Sequence, residues 1–242
     1  MRFSDLSKNL ITLIFLCIVI LFSCGLPVYK VLEPPVYYGS SNYAVGFRTP
    51  DDPIIDGYVI YYKIYNTGEN LIREDEKLFD PDYYQNTAGT ELPFGESLPR
   101  DLNFYQLGIL GNNVVSYPQI PWSESGDILQ IDFTGALNQE SDPVFTMNGL
   151  VMTDSIAVPA RYTRYTSGTL SGTFKSFINN YSYSNDVDIL DVKNRTGAIL
   201  QNIEIAFVAI SYGISSTTLQ PMMSVPVHLG TILQQNMSDA IY

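Results

Sequence analysis

His228 is the only histidine in the chain, so any serine–histidine–aspartate relay has to run through it. It lies in the strand-like run Val225-Pro226-Val227-His228-Leu229 with no nucleophile elbow elsewhere, which favours a structural or surface histidine over a catalytic one. Paired carboxylates hydrolyse glycosidic bonds without histidine. The 25 Asp and Glu of this chain, however, are the expected background of an acidic surface. Asn185, Asp186, Asp188 and Asp191 offer oxygens of the kind calcium takes, without the glycine and terminal glutamate of an EF-hand loop. Asp51, Asp52 and Asp56 read as turn residues, so no metal site is expected. Trp122, the only tryptophan, is framed by Pro118, Pro121 and Ser123. Its ring either stacks on a sugar or a partner's apolar group, or plugs one end of the core. Tyr61 and Tyr65 join it as candidate binding aromatics. Arg161 and Arg164 are too few for nucleic acid, and no GxxxxGK[ST] phosphate loop occurs. No residue set specifies a reaction or a cofactor, and a non-enzymatic role is expected.

The side chain with the most definite chemistry is Cys24. It follows Leu21-Phe22-Ser23, which closes an apolar run from Leu10 to Phe22 behind a polar start carrying Arg2 and Lys8. A basic start, an apolar middle and a small residue before a cut form the anatomy of an export signal. Leu21-Phe22-Ser23-Cys24 resembles the lipobox of bacterial lipoproteins, in the looser form familiar among spirochaetes. The resemblance implies that residues 1–23 are removed and that the Cys24 thiol carries a diacylglyceryl group with acyl chains such as palmitate. It also implies an extracytoplasmic address on the cell envelope, at the outer membrane or cell surface. Two alternatives stay open. Plain secretion leaves Cys24 as an exposed thiol. An uncleaved anchor needs about 17–25 apolar residues, against the 13 from Leu10 to Phe22.

Loss of residues 1–23 removes Arg2, Lys8, Asp5 and Cys17, leaving 219 residues with a net charge of −13 and Cys24 as the sole cysteine. A disulfide framework and a cysteine metal cluster are thereby excluded from the mature chain. So acidic a body is repelled by nucleic acid and by anionic head groups. Eighteen Tyr and twelve Phe with only 16% charged residues indicate a folded, β-rich chain rather than a disordered one.

Residues 24–35 form a tether ending in Pro34-Pro35, which favours an extended course. Strand candidates follow at Val36–Tyr38 and Tyr43–Arg48, and the densest aromatic and β-branched run is Gly57–Tyr65. Phe47 to Tyr62, interrupted by Thr49-Pro50-Asp51-Asp52-Pro53, resembles the B strand, B–C loop and C strand of fibronectin type III domains. Ile203–Ala209 with Tyr212-Gly213 resembles strand F, and Pro221–Leu229 strand G. Phe47 stands where the family usually has Trp, and Ile203 where it has the strand-F tyrosine. The resemblance implies a fibronectin III/Ig-like antiparallel sandwich built from residues 36–66 and 203–232. A large, mostly β insertion, 67–202, separates the halves, and 233–242 form a tail.

Within the insertion, Glu69–Phe79 predicts a short helix, because Leu71, Ile72, Leu78 and Phe79 recur at seven-residue spacing. Phe104–Leu110, Ile128–Phe133, Val144–Met152, Ser155–Tyr165, Gly168–Phe177 and Val187–Val192 are further strand candidates. In strand C the outward set is Val59, Tyr61, Lys63 and Tyr65. In strand F it is Glu204, Ala206, Val208, Ile210 and Tyr212. Both sets are mostly apolar, which is unusual for a solvated face. Either the insertion folds back over this sheet, the expected arrangement, or the patch is open to a protein or glycan partner.

Overall fold

The structure, a computed structural model, describes residues 31–41, 43–80, 82–83, 95–109, 120–121, 124–137, 141–152, 158–163, 173–175, 177, 192, 194, 196, 202–216 and 218–234. Leu32 onward forms one compact unit. In chain order its strands are β1 (Val36–Ser40), β2 (Ala44–Arg48), β3 (Ile55–Asn66), β4 (Tyr105–Gln106), β5 (Gly108–Ile109), β6 (Ile120–Pro121) and β7 (Ile128–Asp132). There follow β8 (Val144–Met147), β9 (Leu150–Val151), β10 (Pro159–Thr163), β11 (Thr173–Lys175), β12 (Ile203–Ile214), β13 (Pro221–Met223) and β14 (Val227–Gln234). Among the described residues, the helices are α1 (Asn70–Leu78), α2 (Ser97–Asp101) and α3 (Thr134–Leu137).

The longest strands, β3 and β12, lie side by side and antiparallel, from Ile203 opposite Asn66 to Gly213 opposite Ile55. β13 and β14 share the far edge of β12, while β4 and β6 share the far edge of β3. A second antiparallel sheet runs β1-β2-β7-β8-β9, and a small third one β11-β10-β5. Alternation along the strands sends every second side chain to one face. Tyr58, Ile60, Tyr62 and Ile64 of β3 thus join Ile203, Ile205, Phe207 and Ala209 of β12 against Val45, Phe47, Leu129, Ile131 and Phe145 of the second sheet. Phe133 bridges the layers, 5.5 Å from the rings of both Phe177 and Phe207. The gap among Val45, Phe47, Ile60, Leu129 and Phe145 is apolar and admits no water, so it is a packing defect between sheets, not a ligand cavity. The protein is mainly β, with two antiparallel sheets closed on one core.

The opposite face of the β3–β12 sheet has its own core. Val59, Tyr61 and Tyr65 of β3 and Ala206, Val208 and Ile210 of β12 lie beneath Ile72, Phe79, Leu98 and Phe104. The covering residues come from α1, α2 and the chain just beyond them, so part of the insertion does fold back over the sheet. α1 spans Asn70–Leu78 with Glu69 and Phe79 as its caps, where the seven-residue spacing predicts it. The cover makes a third layer.

Several expectations need correction. Segment 67–202 does not only pack on a finished sandwich. It supplies β7, β8 and β9 to one sheet and β4 and β6 to the other. Val144–Met152 is a hairpin and not one strand, because Asn148 and Gly149 adopt φ of 52° and 79° between β8 and β9. Asn-Gly is the dipeptide that such tight turns favour. Phe104–Leu110 forms two short strands, β4 and β5, split at Leu107, and Pro221–Leu229 breaks at Ser224–Pro226 into β13 and β14. β14 extends through Gln234 into the expected tail. Of Val187–Val192 only Val192 is described; it is helical and buried.

Candidate functional site

A buried group of ionisable side chains comes together where α1 meets the sheet. Lys63 would sit on a solvated face if β3 were an outer strand, yet it is 4% exposed. Its Nζ donates to Asp75 Oδ2 at 2.6 Å and to the Leu102 carbonyl at 2.7 Å. Tyr65 Oη donates to the same Asp75 oxygen at 2.6 Å. The ammonium also lies 5.0 Å from the Tyr65 ring and 5.6 Å from that of Phe104, a range in which the ring faces attract a cation. Ile72, Asp75 and Phe79 follow at i, i+3 and i+7, the spacing of one helix face. α1 therefore carries a carboxylate in the middle of its apolar stripe, aimed at the only cation on β3. Neither group is open to a substrate, so the cluster acts as a latch between helix and sheet.

A second cluster lies along β14. A bulge there, between Phe207 opposite Gly230 and Val208 opposite His228, leaves Leu229 as the extra residue. It sends Leu229 into the main core and turns His228 toward α1. The His228 ring stacks on Phe79 with centroids 6.4 Å apart, and its Nε2 is 3.8 Å from Glu76 Oε1. That nitrogen is buried, with no hydrogen bond among the described residues. Burial pushes the imidazole down to about 4. Burial also raises the Glu76 carboxyl, with Glu204 adding to the rise, while the Thr231 hydroxyl, donating at 3.3 Å, and Arg73 oppose it.

His228 therefore makes the fold acid-sensitive. Between its folded value and the 6.5 of an ordinary imidazole, the unfolded chain binds the extra proton, so stability falls as pH falls through this window. The expected loss from pH 7 to pH 4 is roughly 3 kcal/mol. Glu76 acts in the opposite sense, contributing stability at low pH that is lost as pH rises through its raised value. Urea unfolding of His228→Phe at pH 7, 5.5 and 4 is expected to show most of the histidine-dependent loss removed. An unchanged acid profile would assign the loss to other groups.

Tyr61 and Tyr65, the candidate binding aromatics, are 2% and 0% exposed. Tyr61 Oη donates to Glu96 Oε2 at 2.8 Å, and both rings lie under the helical layer, so neither presents a stacking surface. The apolar outer face that singled them out is covered within the same chain. Asp52 is 3% exposed, with Oδ1 accepting from the Ile54 amide and Oδ2 from the Glu33 amide, the self-capping turn that its neighbours suggest. Arg161 is fully buried, its guanidinium 6.0 Å from the Phe177 ring. Cys24, Trp122, Arg164 and the Asn185–Asp191 group lie outside the described residues. The Lys63–Asp75 latch was not anticipated, although two local signs mark it: a lone lysine in an apolar strand face and a lone aspartate in a helix's apolar stripe. Compared with family models, with curated proteins and with solved structures, the chain finds no match.

Proposed function

We propose that this chain is a lipid-anchored, extracytoplasmic protein of the cell envelope whose folded body is a non-catalytic binding or structural module. Leu21-Phe22-Ser23-Cys24 after the apolar run Leu10 to Phe22 carries this reading, with the Cys24 thiol as the site of the diacylglyceryl group. Several acyl chains at one site hold a protein on a bilayer effectively without release, since each buried methylene contributes about 0.8 kcal/mol.

The body is proposed to be a fibronectin III-like sandwich with a large insertion. The strands read as C, F and G lie side by side as β3, β12 and β13/β14, the neighbour order of that sheet in Ig-like sandwiches. The scaffold role is supported by how the charged groups are used, since Lys63 and Asp75 neutralise each other to hold the covering layer.

The test is chemical. Mass spectrometry of the N-terminal peptide is expected to show Cys24 at the new terminus with the mass of a diacylglyceryl group. In cell fractionation the parent protein is expected with the membranes and Cys24→Ala in the soluble fraction. Cys24→Ala remaining with the membranes would sink the reading.

A further inference from the structure

We infer that the β1–β2 hairpin is a second membrane contact, a tyrosine-bearing edge that rests in the head-group region of the bilayer to which Cys24 is tethered. The inference rests on the lipid-anchor reading and adds a surface to it. Tyr37, Tyr38 and Tyr43 are 52%, 47% and 54% exposed, and Val36 is 52% exposed. Four large exposed side chains thus fall within eight residues on an edge strand and its turn. A bulge arranges this: Tyr37 pairs with Phe47 and Gly39 with Gly46, leaving Tyr38 as the extra residue. An inserted residue bends an edge strand away from regular pairing.

Charge separates this edge from the rest of the molecule. Residues 34–50 contain no carboxylate, and Arg48 is their only charge, in a chain of net charge −12. The Arg48 guanidinium lies 5.8 Å from the Tyr38 ring and is exposed, a cation suited to lipid phosphate. Tyrosine fits a wet interface because its ring is apolar and its hydroxyl remains solvated. The acidic remainder is repelled from anionic lipid, which favours this edge facing the bilayer.

Chain length supplies the proximity. Only seven residues separate Cys24 from Leu32, where the compact unit begins. At about 3.3–3.6 Å per residue they reach no more than about 30 Å. β1 starts four residues later, so the anchor delivers this hairpin to the membrane before any other strand.

The experiment uses the full lipidated chain in phosphatidylcholine vesicles, with hydroxyl-radical footprinting read by mass spectrometry and the Cys24→Ser chain free in solution as reference. Labelling of Tyr37, Tyr38 and Tyr43 is expected to fall about fivefold, a preference of roughly 1 kcal/mol. Tyr83, which is 42% exposed outside this edge, is expected to keep its labelling. An anchored chain whose three tyrosines label as they do in solution overturns the docking and leaves the anchor standing. Protection that disappears as the protein is diluted in the membrane overturns it in favour of a second copy pairing at the β1 edge. A parent chain that fails to partition with the vesicles removes the anchor and the inference together.

Discussion

Replacing Asp75 with alanine is expected to cost about 3–5 kcal/mol of unfolding free energy, the range found when one member of a buried ion pair is removed. The loss comes from what remains. Lys63 Nζ stays buried at 4% exposure without its carboxylate partner, with the Leu102 carbonyl still accepting from it. Tyr65 Oη loses the acceptor 2.6 Å away. With total stability of a domain commonly about 5–15 kcal/mol, such a variant sits near the threshold of folding. The helical layer is the part expected to loosen first, uncovering Val59, Val208 and Ile210.

Removing the whole cluster is expected to behave differently. Lys63→Met with Tyr65→Phe and Asp75→Leu fills similar volume and leaves no buried charge. Apolar replacement of a buried pair is often neutral or stabilising, so the triple variant should regain most of what Asp75→Ala loses, less the unpaired Leu102 carbonyl. Denaturant unfolding of the three chains decides the matter. If Asp75→Ala unfolds within about 1 kcal/mol of the parent, the range of an exposed pair, the cluster is not the latch described above.

The second large effect is expected at Gly230. Its φ is +110°, and a Cβ added there would lie 2.4 Å from Ser40 Cβ and 2.7 Å from Ser40 Oγ. Gly230→Ala therefore meets two separate obstacles. Backbone strain at such a φ costs about 1–3 kcal/mol, and overpacking adds typically 1–3 kcal/mol. A total loss of roughly 3 kcal/mol is expected, focused where β1 crosses β14. The double variant Gly230→Ala/Ser40→Gly separates the two terms, since it removes the clash and keeps the strain. It should recover part of the loss but not all of it. Full recovery would mean that the backbone accommodates alanine at this bulge without strain, and no recovery would mean that β1 was never in the way.

Both effects arise from contacts between residues distant in sequence, and they mark where local reading stops. Ile203–Ala209 reads as a strand from its resemblance to strand F of fibronectin III domains, while the dense aromatic run at Gly57–Tyr65 and the spacing of Leu71, Ile72, Leu78 and Phe79 sufficed to predict β3 and α1. These are short-range patterns, and period and propensity act over a few residues. The Asn148-Gly149 turn also carried a local signal, the dipeptide that tight hairpins favour, against the expectation of a single strand over Val144–Met152.

What joined those elements was not local. Tyr61, Lys63 and Tyr65 occupy a strand face whose composition fits either an open binding patch or a covered one, because a residue's type does not say what lies over it. Only the folded chain placed Asp75 over Lys63 and assigned the aromatic rings to a second core. It likewise drew β7 and β8 from the insertion into the sheet that holds β1 and β2. Gly230 is unremarkable in sequence, and its need for glycine appears only where Ser40, 190 positions earlier, closes against it. By itself the order of residues determined that the chain is β-rich and acidic, that α1 forms over Asn70–Leu78, and that a distinctive cysteine follows an apolar run. Tertiary packing alone decided which faces are spent internally, because burial is a property of neighbours brought together from across the whole chain.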